Sequence, residues 1–304
     1  MQPSALFLVI VALGTTMVQG HPTTSSPAEQ HWQKTLPGTP MPEAIANLVQ
    51  RGIDHSPLLE HYSALPSVSV CTLFNTICPQ STVAEAGIFF HEEQLRPGSI
   101  MTISLLAEPE AAILPHDVAE KVPFENIGDV LATFNIPAGS PEADQVSQTL
   151  SRCKQTSLAG VQMSCSMSLE STVESAMRML GTTADSVFVA TSAIPAAGLP
   201  RQPYLVQKVR QIDGNGYVAC HKLPFPYVVY QCHTEAKYGD YMLSLQGLHG
   251  GPTVTMQALC HLDTSNWNPA HPAFEILHTH PGGSPVCHLI PNGNLVFIVK
   301  AAKA

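Results

Sequence analysis

The chain has 304 residues, 44% hydrophobic and 12% charged, with a formal net charge of −9 at pH 7. This is a globular composition. An acidic chain without basic runs lacks the electrostatic footprint of a nucleic-acid-binding surface. The 26 prolines and 20 glycines predict many turns and few long helices.

Residues 1–20, MQPSALFLVIVALGTTMVQG, hold an apolar run from Ala5 to Val18, with small residues Val18 and Gly20 at a cleavage-site spacing. They read as a secretory signal peptide. A membrane anchor is the alternative, but the run is short for a span and polar HPTTSSPAEQ follows it. No later apolar run reaches spanning length, so no membrane contact is expected once the signal is removed.

Residues 21–85 read as a leader rich in Pro, Ser, Thr and Ala, with a short helix at Glu43–Val49 just after Pro40 and Pro42. In CTLFNTICPQ, Cys71 and Cys78 are placed to close a small disulfide loop. Residues 86–304 read as the folded domain. Ile88–His91 and Met101–Leu106 look like strands separated by a Pro97-Gly98 turn. Ser140 is positioned to cap a helix with Pro141 at its first position, running to about Arg152. A second helix is predicted from Leu169 to Leu180, stopped by Gly181. Cys153 and Cys165 lie just outside these two helices and are placed to staple them. From Ser186 onward VFVA, YLVQKV, GYVACHKL, YVVYQCH, YMLSLQ, TVTMQALCH, FEILH and NLVFIVKA read as short strands. The fold class is therefore α+β: a helical first half, a mainly antiparallel β second half, and disulfide staples.

Four Cys-His pairs stand out: Cys220-His221, Cys232-His233, Cys260-His261 and Cys287-His288. Ten, twenty-six and twenty-five residues separate successive pairs. Eight cysteines in a chain with a signal peptide point to disulfides rather than a reduced thiolate cluster. Adjacent residues of a strand face opposite sides of a sheet. In TVTMQALCH, Val254, Met256, Ala258 and Cys260 share an apolar face. His261 falls with Thr253, Thr255, Gln257 and Leu259 on a mostly polar face, which is expected to be the wetter one. The four sulfurs are expected to form two disulfides, with three connectivities open, that pin the strands carrying the imidazoles. Convergent imidazoles suit copper, zinc, iron or nickel, with copper highest in the divalent affinity order. Two bland alternatives remain: histidines that merely follow structural cysteines, and a mixed Cys/His zinc cluster.

With the flanking text "PYVVYQCH", "CHLDTSNWNPAHPAF" and "PVCHLIPNGNLVFIV", the four-pair pattern resembles the BURP-domain family of plant secreted proteins. "FFHEEQLRPGSIM", "LPHDVAEKVPF" and "CSMSLESTVESAMRMLG" upstream extend the resemblance over about residues 88–299. "WQKTLPGTPMPEAI" is similar to the segment that precedes the domain in short-leader members. The resemblance implies secretion to the apoplast or vacuole and one of two functions. One is a copper-dependent oxidative peptide cyclase. Its substrate peptide lies in its own leader or is supplied in trans, and a Tyr oxygen or Trp nitrogen is joined to carbon. The other is a non-catalytic cell-wall, seed or stress-response protein with wall components as partners. It implies His221, His233, His261 and His288 as metal ligands, copper as cofactor, and His271 in "WNPAH" as a catalytic candidate. Tyr62, closing "PLLEHY", is the candidate core-peptide residue, whereas Trp32 is taken as structural. His278 and His280 receive no role. Protonation of the imidazoles is expected to release the metal in acid.

Overall fold

A computed structural model describes residues 25–53, 62, 68–106, 111–155, 161–195, 197–234 and 237–301. The proposed signal peptide lies outside them. No helix among the described residues is long and apolar enough to cross a membrane.

Ser26 starts α1 (Pro27–Thr35) with a capping box: its Oγ accepts from the Glu29 N–H at 3.2 Å, while the Glu29 carboxylate accepts from the Ser26 N–H at 2.7 Å. Pro27 takes the first helical position, where a missing N–H does no harm. α2 (Glu43–Ile53) extends four residues past the predicted Val49. Gly52 is required there, because a Cβ would meet the Ile113 carbonyl oxygen at 1.7 Å. A short 3-10 turn, Val68–Thr72, leads to α3 (Gln80–Ala86), and Cys71–Cys78 closes the loop between them.

β1 (Phe89–Phe90) and β2 (Ile100–Leu106) come next, then α4 (His116–Ala119), α5 (Ile127–Thr133) and α6 (Pro141–Cys153). Ser140 caps α6 by accepting from the Ala143 N–H at 3.1 Å. Cys153 is not outside α6 but is its last residue. Its partner Cys165 sits on β3 (Met163–Ser166), so the bond ties helix to strand rather than helix to helix. α7 (Leu169–Leu180) ends at Gly181 with φ 59°, the left-handed cap that glycine adopts without strain.

The remaining strands are β4 (Val187–Ala190), β5 (Gly198–Gln211), β6 (Gly214–Leu223), β7 (Val229–Thr234), β8 (Tyr238–Gly247), β9 (Thr253–His261), β10 (Val286–Leu289) and β11 (Leu295–Lys300). FEILH is not a strand. It falls in α8 (Pro272–Ile276) and the residues after it; His271 is the N-cap and Pro272 the first helical residue. That start signal outweighs the Phe274/Ile276 alternation.

Two antiparallel sheets result. One has the order β1-β10-β9-β8-β5-β2 and the other β3-β7-β6-β11-β4. They meet through Ala219, Val296 and Ile298 from the five-stranded sheet and Leu259 from the six-stranded one. Tyr217 on β6 and Tyr238 on β8 stack edge to face across the seam, 5.8 Å between centroids. The far side of the five-stranded sheet is covered by α7, α1 and α2 through Leu169, Val173, Trp32, Ile45 and Leu48. The far side of the six-stranded sheet packs on itself: Met101, Tyr204, Leu245, Met256 and Cys287, from five different strands, lie in one buried cluster.

Candidate metal centre

Each Cys-His cysteine pairs with the cysteine directly across its own hairpin or ladder. Cys220 faces Cys232 on the β6–β7 rung, and Cys260 faces Cys287 on the β9–β10 rung. Both rungs are closed as disulfides with Cα atoms 3.9 Å apart. This resolves the three connectivities into one. Both sulfur pairs point to the outer cores of their sheets, as alternation requires.

The imidazoles therefore point inward, and the expected wetter face does not exist. His221, His233, His261, His271 and His288 are each at most 1% exposed. Alternation determines that sulfur and imidazole part company, but not what lies over each face. Here the second sheet and the loops around Thr72 and Trp267 cover the histidine side.

The rings stand in two stacks. His221 and His233 lie 5.4 Å apart and 16° from parallel, on the five-stranded sheet. His261 and His288 lie 5.1 Å apart at 22°, on the six-stranded sheet. His221 and His288 link the stacks at 6.1 Å. Nε2 of His261 and Nε2 of His288 are 3.0 Å apart. His288 donates its Nδ1–H to the Leu289 carbonyl oxygen at 3.2 Å, so its Nε2 carries the lone pair and accepts from His261. Thr72 Oγ1 holds His221 Nδ1 at 3.2 Å. His271 is positioned differently: its Nδ1 accepts from the Ala273 N–H at 3.2 Å, capping α8. Its ring meets Phe89 edge-on at 5.5 Å.

Burial lowers the pKa of three of these rings, His221, His271 and His288. Burial drives His221 well below the usual imidazole range, and the charges of His233, His288, His261 and Arg152 add to the effect. Burial likewise depresses His288, followed by His261; the Leu289 carbonyl acts in the opposite sense. His271 is lowered to about 4, first by burial and then by His261, with the Leu73 and Cys71 backbone opposing.

Neutral, buried, orientated imidazoles are the state a metal needs. Two nitrogens 3.0 Å apart match neighbouring ligands of one first-row metal, whose bonds to imidazole run about 2.0–2.1 Å. As the side chains stand, no group of three or more His, Cys, Asp or Glu among the described residues is arranged to hold a metal. Imidazole nitrogens are donors that suit copper, and the arrangement as it stands brings the Nε2 atoms of His261 and His288 together at 3.0 Å.

The BURP domain family model matches residues 88–299. The chain belongs to the BURP domain family. Protein RAFTIN 1A of Triticum aestivum is 42% identical over 215 residues, 69% of this chain and 55% of that protein. BURP domain-containing protein 13 of Oryza sativa subsp. japonica is 39% identical over 251 residues, 80% of this chain and 60% of that one. The chain thus spans little more than half the length of these two. BURP domain-containing protein 2 from the same rice is 34% identical over 307 residues, 97% of this chain and 98% of that protein.

In this BURP-domain protein the remaining residues singled out in the sequence are placed as follows. His278 and His280 are exposed. Tyr62 donates its hydroxyl to Gln145 Oε1 at 2.9 Å, and its phenol is raised first by burial and then by Glu142. The rest of "PLLEHY" lies outside the described residues. Two neighbours of the centre carried no expectation. Trp267 is edge-on to His261 at 4.6 Å and to His271 at 4.8 Å. Thr72 orients His221. Trp267 was visible as the aromatic residue in "SNWNPAH"; Thr72, 149 positions from its partner, left no local signal.

Proposed function

We propose that this BURP-domain protein is a secreted copper protein. In this reading His221, His233, His261 and His288 hold the metal, and the protein oxidatively crosslinks a Tyr or Trp side chain within a peptide. The observation that carries it is the burial of four imidazoles, two from each sheet, with Nε2 of His261 and His288 at 3.0 Å. Bound copper would supply one-electron oxidation and the handling of oxygen.

The chain's own residues do the rest. The Leu289 carbonyl fixes the His288 tautomer, so Nε2 is ready to ligate. The His261 Nε2–H now donated to His288 has to leave or move to Nδ1 for both rings to ligate. Burial and mutual charge keep His221 and His288 deprotonated. Trp267 walls off water beside His261 and His271. His271, tied to α8 by its cap, is a candidate to shape the site rather than to ligate. Eight cysteines closed as four disulfides support an oxidising compartment.

Cu(II) titration of the refolded, oxidised chain tests this. Stoichiometric copper and, with oxygen and an added peptide, a two-hydrogen mass loss are expected. His261→Ala is expected to abolish both. Copper binding equal in the variant and the parent would sink the four-histidine site. Copper without any mass change would leave a non-catalytic wall, seed or stress-response protein. Burial lowers His221 and His288 well below the usual imidazole range, so bound copper is expected to persist through that range and to fall only in stronger acid. Loss already complete at about pH 6.5, the free imidazole value, would count against ligation by these buried rings.

A further inference from the structure

A cavity of about 680 Å³ opens beside the histidine centre. One wall is a face of α6: Gln145, Gln148, Thr149 and Arg152 recur at helical spacing, with Gln155 just beyond the helix. Ala143, Val146 and Leu150 on the other face fill the core beneath. The opposite wall is the Cys71–Cys78 loop, whose Ile77 is 67% exposed as an apolar lip. The same walls touch the centre. Cys71 adjoins Thr72, which bonds His221, and Leu223 follows His221 by two residues on β6.

Among the described residues Arg152 is the one cation that lines the cavity, and none of them that line it is Asp or Glu. Among the described residues no carboxylate pairs with its guanidinium. Burial alone shifts its pKa, downward, and no acid opposes that. Its charge nevertheless reaches His221 and His271. A cation in the last turn of a helix suits the dipole, but the dipole does not require the guanidinium to withdraw from water. A half-buried, unpaired guanidinium facing a cavity is built to receive a planar anion through two parallel hydrogen bonds.

We propose that this cavity seats the C-terminal carboxylate of a peptide, held by Arg152, with the terminal apolar side chain on Ile77. The carboxylate is argued from the cavity itself; that it belongs to a peptide rests on the function proposed above. Bound this way, the preceding residues run along the glutamine-lined face of α6 toward the loop that carries Thr72. Arg152 is thereby a positioning residue, not a catalytic one.

Calorimetric titration of the oxidised chain, metal-free and copper-loaded, tests this with N-acetyl-Leu-Leu as the free acid, the same dipeptide as the C-terminal amide, and a short uronate oligomer. The acid is expected to bind at least tenfold more tightly than the amide. Arg152→Gln erases that preference and leaves the copper stoichiometry unchanged. Arg152→Lys retains part of the preference. Should Arg152→Gln not fold, Gln148→Glu on the exposed rim places an anion next to the guanidinium and is expected to weaken only the acid. Equal binding of acid and amide, an unchanged preference in both variants, or binding of the uronate alone would overturn the proposal. Preference for the acid without any copper uptake supports the cavity assignment and sinks only the metal reading.

Discussion

Asp240 on β8 is fully buried, and both its carboxylate oxygens accept from Gln257 Nε2, at 2.9 and 3.0 Å. Burial still wins and raises its pKa to about 7, against the lowering effects of Gln257, the Tyr241 backbone and Arg210. Gln257 Oε1 has no partner, so turning the amide over lets protonated Asp240 donate to it. A raised acid holds its proton more tightly in the fold than in the unfolded chain. Its stability penalty is absent below about pH 4, grows up to about pH 7, and is constant above. Asp240→Asn is therefore expected to gain on the parent as pH rises through that window, by a few kcal/mol at most. Urea midpoints at pH 4 and pH 8 check it; a constant difference would refute it. At this scale the sequence was legible where chemistry is local. The Cys-His adjacency announced that sulfur and imidazole would separate across the sheet. It could not announce that the histidine face would be roofed, because the roof comes from strands and loops far along the chain.

The strand pairs are the elements that set the imidazoles. Cys220–Cys232 and Cys260–Cys287 each lock one rung, with sequence separations of 12 and 27. Replacing Cys220 and Cys232 together by serine is expected to lower stability by about 2–4 kcal/mol. It is also expected to weaken copper binding, since His221 and His233 ride on those strands. Denaturant unfolding and a copper-competition assay read the two effects, and unaltered copper affinity would show that the bond does not position the rings. Ser140→Ala, which removes the α6 cap, is expected to lower stability by about 1 kcal/mol, read the same way. Elements with end signals were legible: Ser140-Pro141 opened α6 and Gly181 closed α7. β10 was not, because VCHL is four residues long and too short to show a period. FEILH misled because two apolar residues in alternation mimic a strand.

The whole molecule holds together through segments on both sides of residue 88. Trp32 of α1 is wholly buried against α7 and the five-stranded sheet, and its Nε1–H donates to the Thr39 carbonyl at 2.8 Å. Trp32→Ala is expected to lower stability by about 3–5 kcal/mol, measured by thermal unfolding. α1 was overlooked because its capping box lies in a run that is otherwise rich in Pro, Ser and Thr. Acid acts on the whole fold as well. His221, His271 and His288 are lowered, so their contribution is complete above about pH 6.5 and is lost as pH falls toward the folded values, about 4 for His271. Three such groups outweigh the opposite slope of Asp240, so the metal-free chain is expected to gain stability from pH 4 to pH 6.5. A melting temperature that falls over that range would contradict it.

The stacked pairs come one from each sheet, so neither layer alone holds more than half of the four imidazoles. The centre is thus a gauge of assembly. A chain whose sheets have closed but not docked offers only a pair of rings, and one whose seam slips moves a whole pair at once. An ion seated across the gap would act as a rivet, turning the alignment of two layers into a single measurable affinity.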